Sequence, residues 1–185
     1  MTDIDKDIKT GVHLGVDIHY LLYDQLGIGM KYLLFSSSIN EDLILGIDGL
    51  NYIGVDMKEN IYVNYIGPSI RSAVWFDKKK RKFKLAQELS IGYAHYREET
   101  RLKLNQYESS NLLVTGNTWG ANIGISFEYY PSEQLSVGAN AGFFYATFKK
   151  VEVSNSTSSQ VIELNSAYYE KVARIDYSLG VRYHF

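Results

Sequence analysis

The sequence contains no cysteine and only two prolines in 185 residues. The absence of cysteine excludes a disulfide framework and a cysteine-based metal site. No stretch approaches the ~18 consecutive apolar residues that a membrane-spanning helix needs, so a helical membrane protein is also excluded. The formal net charge of −2 provides no basic surface of the kind that binds nucleic acid.

The first nine residues (MTDIDKDIK) are polar and mostly charged. They lack the positively charged start and the apolar centre of a secretory signal peptide. If the protein is exported, we expect this sequence to begin downstream of the native start.

The last fourteen residues alternate strictly between apolar and polar side chains. Because successive side chains of a strand point to opposite faces, this pattern predicts a strand with one apolar and one polar face. The stretch exceeds the ~9–11 residues with which a tilted strand crosses a bilayer. The apolar face carries Ala173, Ile175, Tyr177, Leu179, Val181, Tyr183 and Phe185.

Six earlier stretches have similar two-faced patterns, so seven strands are evident in this chain. Short turns and long connections alternate between them, as they do in outer-membrane barrels. Pro68 has no N–H group for the strand ladder and predicts a local break. The predicted strands are 10–22, 26–35, 61–76, 83–96, 115–130, 135–148 and 172–185, with short turns at 23–25, 77–82 and 131–134 and long loops at 36–60, 97–114 and 149–171.

The polar faces are rich in glycine, serine and asparagine, and they carry charges of both signs. Small residues fit the narrow interior of a small barrel, whereas a water-exposed face would use long charged side chains. A charge facing lipid near the midplane would cost roughly 2–4 kcal/mol. We therefore predict an inward-facing, structural charge network of Asp17, Lys31, Arg71, Glu88, Glu128, Arg174, Asp176 and Arg182.

Sixteen tyrosines are many for this length. Tyrosine and tryptophan favour the boundary between lipid and water, and aromatic residues cluster near the predicted strand ends. The pattern predicts a lower ring of Tyr20, Tyr23, Trp75, Phe76, Phe83, Tyr129, Tyr130, Tyr183 and Phe185, and an upper ring of Tyr32, Tyr93, Trp119, Tyr145, Tyr168 and Tyr169.

The chain resembles the small bacterial outer-membrane β-barrels of the OmpA/OmpX-like, porin-type superfamily, especially those of Bacteroidetes. The likeness covers nearly everything except residues 1–9 and the loops. It implies a location in the Gram-negative outer membrane and contact with outer-membrane lipid and lipopolysaccharide. The segments that carry it are GVHLGVDIHYLL, LGIGMKY, NYIGPSI, LSIGYAHY, WGANIGISFEYY, LSVGANAGFFYA and RIDYSLGVRYHF.

The terminal strand is similar to the insertion signal of that superfamily, which ends on an aromatic residue. The resemblance implies that the barrel-assembly machinery reads this segment during insertion. The residues that match the signal are Tyr177, Leu179, Val181, Tyr183 and Phe185.

We expect one domain over residues 1–185, an all-β, antiparallel up-and-down transmembrane barrel. Bacterial barrels have an even number of strands, so the parent protein is expected to have eight. The first strand would then lie upstream of Met1. The rival interpretation is that Leu43 to Val55 supplies the eighth strand.

The sequence predicts a non-enzymatic barrel with a filled lumen and no open pore. Its role would be structural or surface-binding, through extracellular loops, with Lys149 to Lys171 as the favoured contact. No catalytic, cofactor or metal site is predicted, because the four histidines (His13, His19, His95 and His184) do not fall at a metal-ligand spacing.

Two alternatives remain open from the sequence. One is a barrel enzyme acting on lipid A, for which His95 with Tyr96, Glu98 and Glu99 is the one cluster worth testing. The other is a soluble, lipocalin-like carrier of an apolar ligand, since alternation alone does not say which face points inward.

Overall fold

The computed structural model describes residues 11–23, 25–48, 51–76, 81–104, 108–155, 158–166 and 169–184. Nine strands account for most of these residues. None of the described residues belongs to a helix long and apolar enough to cross a membrane. The strands are β1 (Val12–Tyr23), β2 (Leu26–Asp48), β3 (Asn51–Trp75), β4 (Phe83–Leu104), β5 (Glu108–Tyr129), β6 (Leu135–Phe148), β7 (Lys150–Ser154), β8 (Ser159–Glu163) and β9 (Glu170–Tyr183).

Seven strands form one curled, half-barrel sheet in the order β1-β2-β3-β4-β5-β6-β9, with every neighbouring pair antiparallel. Strand β7 pairs with β5 beyond the part of β5 that pairs with β6, and β8 pairs with β7. The short hairpin of β7 and β8 therefore extends the sheet at one end. We call that end the upper end and the opposite one the lower end.

All seven predicted strands are confirmed, with the up-and-down order that alternating connections imply. The rival origin of an eighth strand is wrong. Leu43 pairs with Val55, and both lie in the continuation of β2 and β3 rather than in a strand of their own.

The predicted long loops at 36–60 and 97–114 are also wrong. The structure continues β2 to Asp48 and starts β3 at Asn51, and it continues β4 to Leu104 and starts β5 at Glu108. These strands are 22–25 residues long, about twice what a bilayer crossing needs. The sequence pattern does not predict their upper halves, because both faces carry polar residues there and apolar residues no longer occur at every second position.

The third predicted loop, 149–171, contains the β7–β8 hairpin. Its strands are only five residues each, and the side chains of β8 are exposed. An antiparallel pair this short gives almost no alternation signal in the sequence.

The break predicted at Pro68 is confirmed. Ile66 pairs with Tyr93 and Ser69 pairs with Ser90, but no pairing joins β3 to β4 in between. The backbones approach closely here, since a Cβ added at Gly67 would lie 2.6 Å from the Cα of Gly92. Glycine at both positions permits this approach.

The half-barrel has two free edges among the described residues. Strand β1 pairs only with β2, and β9 pairs only with β6. Because six antiparallel steps separate them, β1 and β9 run in the same direction.

Candidate functional site

The lower interior of the sheet holds the predicted charge network, centred on Glu128 of β5. Arg71 from β3 donates to Glu128 Oε1 at 2.6 Å, and Arg182 from β9 donates to the same oxygen. Arg182 also reaches Asp17 of β1, at 2.5 Å between Nη2 and Oδ2. These contacts join four strands, and the Arg71 and Glu128 side chains are almost fully buried.

Two further pairs complete the network. Lys31 Nζ lies 2.9 Å from Glu88 Oε1, and Arg174 Nε lies 2.6 Å from Asp176 Oδ1. The structure thus brings each of the eight sequence-predicted charges into an ion pair on the inner face. Four acidic and four basic groups balance, as buried charges require if they are not to cost several kcal/mol each.

A polar cavity of about 200 Å³ lies beside the network. Both ring nitrogens of His13 and one carboxylate oxygen of Asp176 are buried without a protein hydrogen-bond partner, and both residues line the cavity. Water is the partner that such atoms need, and the cavity is roomy enough for it. The lower interior therefore combines a polar cavity with an adjoining network of buried ion pairs.

Three side chains beside this cavity could offer ligand atoms to a metal ion. The donor atoms of Asp17, His19 and Glu88 all lie within 4.8 Å of one another. The His19 ring is held through Nε2 by Ser69 Oγ at 2.9 Å. A cation would have to displace Arg182 from Asp17 and Lys31 from Glu88, so the arrangement favours ion pairing. The sequence did not indicate this group because its members lie on two distant strands.

Above the charges, the interior becomes apolar. A buried cluster fills the sheet at this level, and Tyr65, Phe144 and Phe148 are at most 1 % exposed. The Tyr65 and Phe144 rings pack edge to face, with centroids 5.4 Å apart. The cluster comprises Leu33, Phe35, Ile61, Val63, Tyr65, Ala94, Tyr96, Phe144, Ala146, Phe148 and Val151. We call it the aromatic layer.

Arg174 connects the charge network with the aromatic layer. Its guanidinium lies 4.3 Å from the Phe35 ring centroid and 5.1 Å from that of Phe144, while Nε binds Asp176. A guanidinium stacks on aromatic faces and pairs with carboxylates, so one side chain serves both regions.

The outer face shows the opposite order of polarity: it is apolar beside the charge network and polar beside the aromatic layer. Around the charged interior, most outward residues are apolar and exposed, including Ile70, Ile91, Ile125 and Leu179, while Ser72 and Gln87 are polar exceptions. Higher on the same strands the outward residues become polar, as in His95, Arg97, Glu99, Arg101 and Lys103 of β4. The sheet is therefore apolar outside and charged inside at its lower end, whereas at the level of the aromatic layer it is polar outside and apolar inside.

A row of mostly aromatic side chains lies where the outer face changes from apolar to polar. Tyr32, Ile66, Tyr93 and Trp119 are direct cross-strand partners on the outer face of β2 to β5. The Tyr32 hydroxyl donates to Asn64 Oδ1 at 2.8 Å, and the Tyr93 hydroxyl donates to Asn117 Oδ1 at 2.5 Å. Each ring thus faces the apolar band while its hydroxyl reaches the polar zone above.

At the lower end, Phe76, Phe83, Phe127 and Tyr129 form a matching outer cluster with centroid distances of 5.2–5.7 Å. The assignment of Trp75 and Tyr130 to this outer ring is wrong. Their rings pack against each other at an angle of 55° on the inner side, with centroids 4.7 Å apart, and Lys84 Nζ lies 5.0 Å from the Trp75 ring centroid. Trp75 neighbours the outward Phe76, and a shift of one residue reverses the face.

The cluster suggested around His95 does not converge. His95 points outward and shares Asn117 with Tyr93, whereas Tyr96 and Glu98 point inward and bond to each other. Glu99 points outward again, where Arg97 donates to it. Burial, together with the nearby carboxylates of Glu98, Glu170 and Glu59, raises the pKa of Tyr96 far above its ordinary value.

The residues that match the insertion signal lie on the outer face of β9. Tyr177 and Leu179 are 80 % and 88 % exposed, and Val181 and Tyr183 are also exposed. Phe185 lies outside the described residues.

The sequence matches no known family and no characterised protein.

Proposed function

We propose that this protein is an integral outer-membrane β-barrel, with eight strands in the parent protein, a filled lumen and no open pore. Its partners would be outer-membrane lipid and lipopolysaccharide, and the barrel-assembly machinery during insertion. Its role is structural or surface-binding, and it performs no catalysis.

The reversal of polarity along single strands carries this proposal. On β3, Ile70 faces out and Arg71 faces in, while ten residues earlier Asn60 faces out and Ile61 faces in. A protein surrounded by water alone has no reason to bury Arg71 and expose Ile70. Two different surroundings for the two ends of each strand explain both arrangements.

The height of the apolar band supports the same reading. On β4 the band runs from Phe83 to Tyr93, and on β5 from Trp119 to Tyr129. Ten steps of ~3.3 Å, tilted by about 40°, give roughly 25 Å. This height matches the apolar band of outer-membrane barrels.

The aromatic layer supports a closed lumen. It lies across the interior directly above the charge network, and its large rings are buried. A conducting path needs continuous water, which this layer interrupts. We expect no steady large-conductance openings in planar lipid bilayers, and such openings would overturn this part of the proposal.

Surface binding would use the upper extension. Its outer face carries Lys58, Arg97, Arg101 and Lys103, and no described residue pairs with the exposed Lys58 or Arg101, which lie opposite each other on β3 and β4. The β7–β8 hairpin lies within the segment predicted as the contact, and Val161 and Ile162 are exposed on it.

A carrier of an apolar ligand is the poorer explanation. Such a carrier needs a wholly apolar hollow, but the cavity beside the network has a mixed lining that includes the ionic and amide side chains of Asp17, Glu88 and Asn122. The apolar side chains that could receive a ligand either pack tightly in the aromatic layer or face outward.

Refolding tests the proposal directly. The urea-unfolded chain should refold only with detergent micelles or lipid vesicles, and the folded form should migrate differently from the boiled form on SDS gels. Brominated lipids should quench Trp119, which is 75 % exposed at the upper ring. A stable monomer in plain buffer with no shift on the gel would overturn membrane insertion.

A further inference from the structure

A pair of polar side chains interrupts the apolar band on the outer face of β3 and β4. Ser72 of β3 and Gln87 of β4 are direct cross-strand partners, and both side chains are exposed. On β3, β4 and β5, every other described outward residue from the level of Phe83 to that of Tyr93 is apolar or aromatic. The outer surface therefore carries a single polar pair within an apolar surround on these three strands.

The position of Gln87 on its strand places the carboxamide deep in the band. Gln87 lies four residues above Phe83 and six residues below Tyr93. At ~3.3 Å per residue and a tilt of about 40°, these separations are roughly 10 Å and roughly 15 Å. A glutamine side chain is too short to carry its amide group to either limit, unlike the longer side chains of lysine and arginine. In the proposed membrane the carboxamide is therefore surrounded by hydrocarbon.

The hydrogen-bonding groups of this pair are not used within the sheet. No described residue is hydrogen-bonded to the side chain of Ser72 or Gln87. A carboxamide offers two N–H donors and a carbonyl acceptor, and a hydroxyl offers one donor and two lone pairs. Hydrocarbon supplies no partner for these groups, and leaving them without one is costly. A polar group from outside the sheet is needed at this depth.

A second copy of the chain brings such a group to the required depth. Copies inserted in one direction carry Gln87 at the same level, and a two-fold axis along the membrane normal sets the same face of each copy against the other. Two carboxamides related by this axis can exchange two N–H···O hydrogen bonds, because each has a donor and an acceptor. The Ser72 hydroxyl can accept from the remaining N–H group. The pair is thus complementary to itself.

We propose that the outer face of β3 and β4 binds a second copy of this chain within the membrane, through reciprocal hydrogen bonds between the Gln87 carboxamides. The proposal rests on the proposed membrane location and adds an interface to it. Ile70, Leu89 and Ile125 surround the pair and are 55 %, 47 % and 53 % exposed. Lipid chains are as apolar as these residues, so the polar pair, rather than its surround, selects this face.

Chemical cross-linking tests which face meets the second copy, and the chain has no native cysteine to interfere. Leu89 lies two residues above Gln87 on the same face of β4. In lipid vesicles, Leu89→Cys should give a dimer with a short bis-maleimide. Leu179→Cys is the matched control, since Leu179 is 88 % exposed on β9, away from this face, and it should give only monomer.

Energy transfer between labelled copies measures the strength of association. Donor and acceptor dyes are placed on Leu113→Cys, above the band, and transfer is followed as the ratio of lipid to protein rises. Gln87→Leu should weaken association roughly tenfold, as expected for the loss of two hydrogen bonds within a membrane. Ser72→Ala should weaken it less, and Gln87→Asn, which keeps a carboxamide, should restore most of it.

The control for the amide is Gln25→Leu, the same substitution in the turn between β1 and β2, outside the band. It should leave association unchanged. Gln87→Leu places an apolar residue on a lipid-facing surface, so the variant should still fold, and its gel shift verifies this. Equal association of Gln87→Leu and the wild type would overturn the inference.

Two further outcomes would also overturn the inference without affecting the proposed function. One is a wild-type monomer in vesicles in which Trp119 quenching shows insertion. The other is a monomer in pure vesicles whose Leu89→Cys variant cross-links to a different protein in native membranes. Failure of the chain to insert, seen as the absence of Trp119 quenching, would instead overturn the proposed function itself.

Discussion

The lower and upper halves of the sheet are built from the same strands with opposite polarity. In the lower half, Arg71, Glu128 and Arg182 pair inside while Ile125 and Leu179 lie outside. In the upper half, rings such as Phe148 fill the interior and residues such as Arg101 lie outside. The inner face of a strand is therefore not always apolar. Which residues are buried on it depends on the surroundings that its outer face meets.

The comparison also distinguishes two ways of stabilising the interior of this half-barrel. The upper half packs apolar side chains, as a soluble core does. The lower half gains little from apolar packing inside, so its interior depends on matched charges whose partners come from different strands. Removing one partner should therefore be far more damaging in the lower interior than among the exposed charges above.

The largest effect is expected for Glu128→Gln. The substitution removes the carboxylate that Arg71 and Arg182 share, and breaking a buried ion pair costs about 3–5 kcal/mol. Urea unfolding in detergent micelles measures the change. The matched control is Glu99→Gln, whose partner Arg97 is half exposed, and it should cost below about 1 kcal/mol. Equal losses for both variants would contradict the difference between the halves.

An arginine placed on the outer face should give the next largest effect. Ile125→Arg introduces a charge into the apolar band and should cost roughly 2–4 kcal/mol in lipid vesicles. Leu113→Arg lies on the outer face of the same strand, twelve residues higher, and should change stability by no more than about 0.5 kcal/mol. If both variants are neutral in vesicles, the band does not face hydrocarbon.

The sequence predicted the lower half well and the upper half poorly, for one physical reason. In the lower half, where we propose that lipid covers the outer face, apolar and polar residues alternate strictly, and this alternation predicts seven strands. In the upper half, Arg97, Glu98, Glu99 and Thr100 of β4 place polar groups on both faces, so the sequence pattern predicts a loop there.

The charged residues of the network were also predictable, because ions on a polar face beside an apolar one must point inward. Their partners were not predictable. Arg182 meets Asp17 across 165 positions of sequence only because the sheet curls and brings its two edges together. Trp75 was misplaced because it and Phe76 are adjacent aromatics, and only strand register decides which faces out.

A smaller effect on stability is expected at the boundary between the charge network and the aromatic layer. The Tyr65 hydroxyl donates to Ser90 Oγ at 2.9 Å, and both residues are buried. Tyr65→Phe removes this bond and should cost about 1 kcal/mol in urea unfolding. Tyr93→Phe removes the exposed bond to Asn117 on the outer face and should cost less. A larger loss for Tyr93→Phe would contradict the assigned faces.

The smallest effect concerns the upper half and pH. The raised pKa of Tyr96 means that its contribution to stability is complete below the unfolded value of about 10 and is lost as pH rises above it. At pH 10 the loss should be roughly 0.4 kcal/mol. The urea midpoint should therefore fall more steeply from pH 8 to 10 in the wild type than in Tyr96→Phe. Identical slopes would show that this hydroxyl is not buried.

A spin-label scan of β4 in lipid vesicles tests the reversal of polarity most directly. Single cysteines at the outward positions Leu89, Ile91, Arg97 and Arg101 would each carry a nitroxide, with oxygen as the lipid-soluble relaxant and a nickel chelate as the water-soluble one. We predict that Leu89 and Ile91 are accessible to oxygen and shielded from nickel, and that Arg97 and Arg101 show the opposite. Strong nickel accessibility at all four positions would contradict a lipid-facing band and with it the proposed barrel.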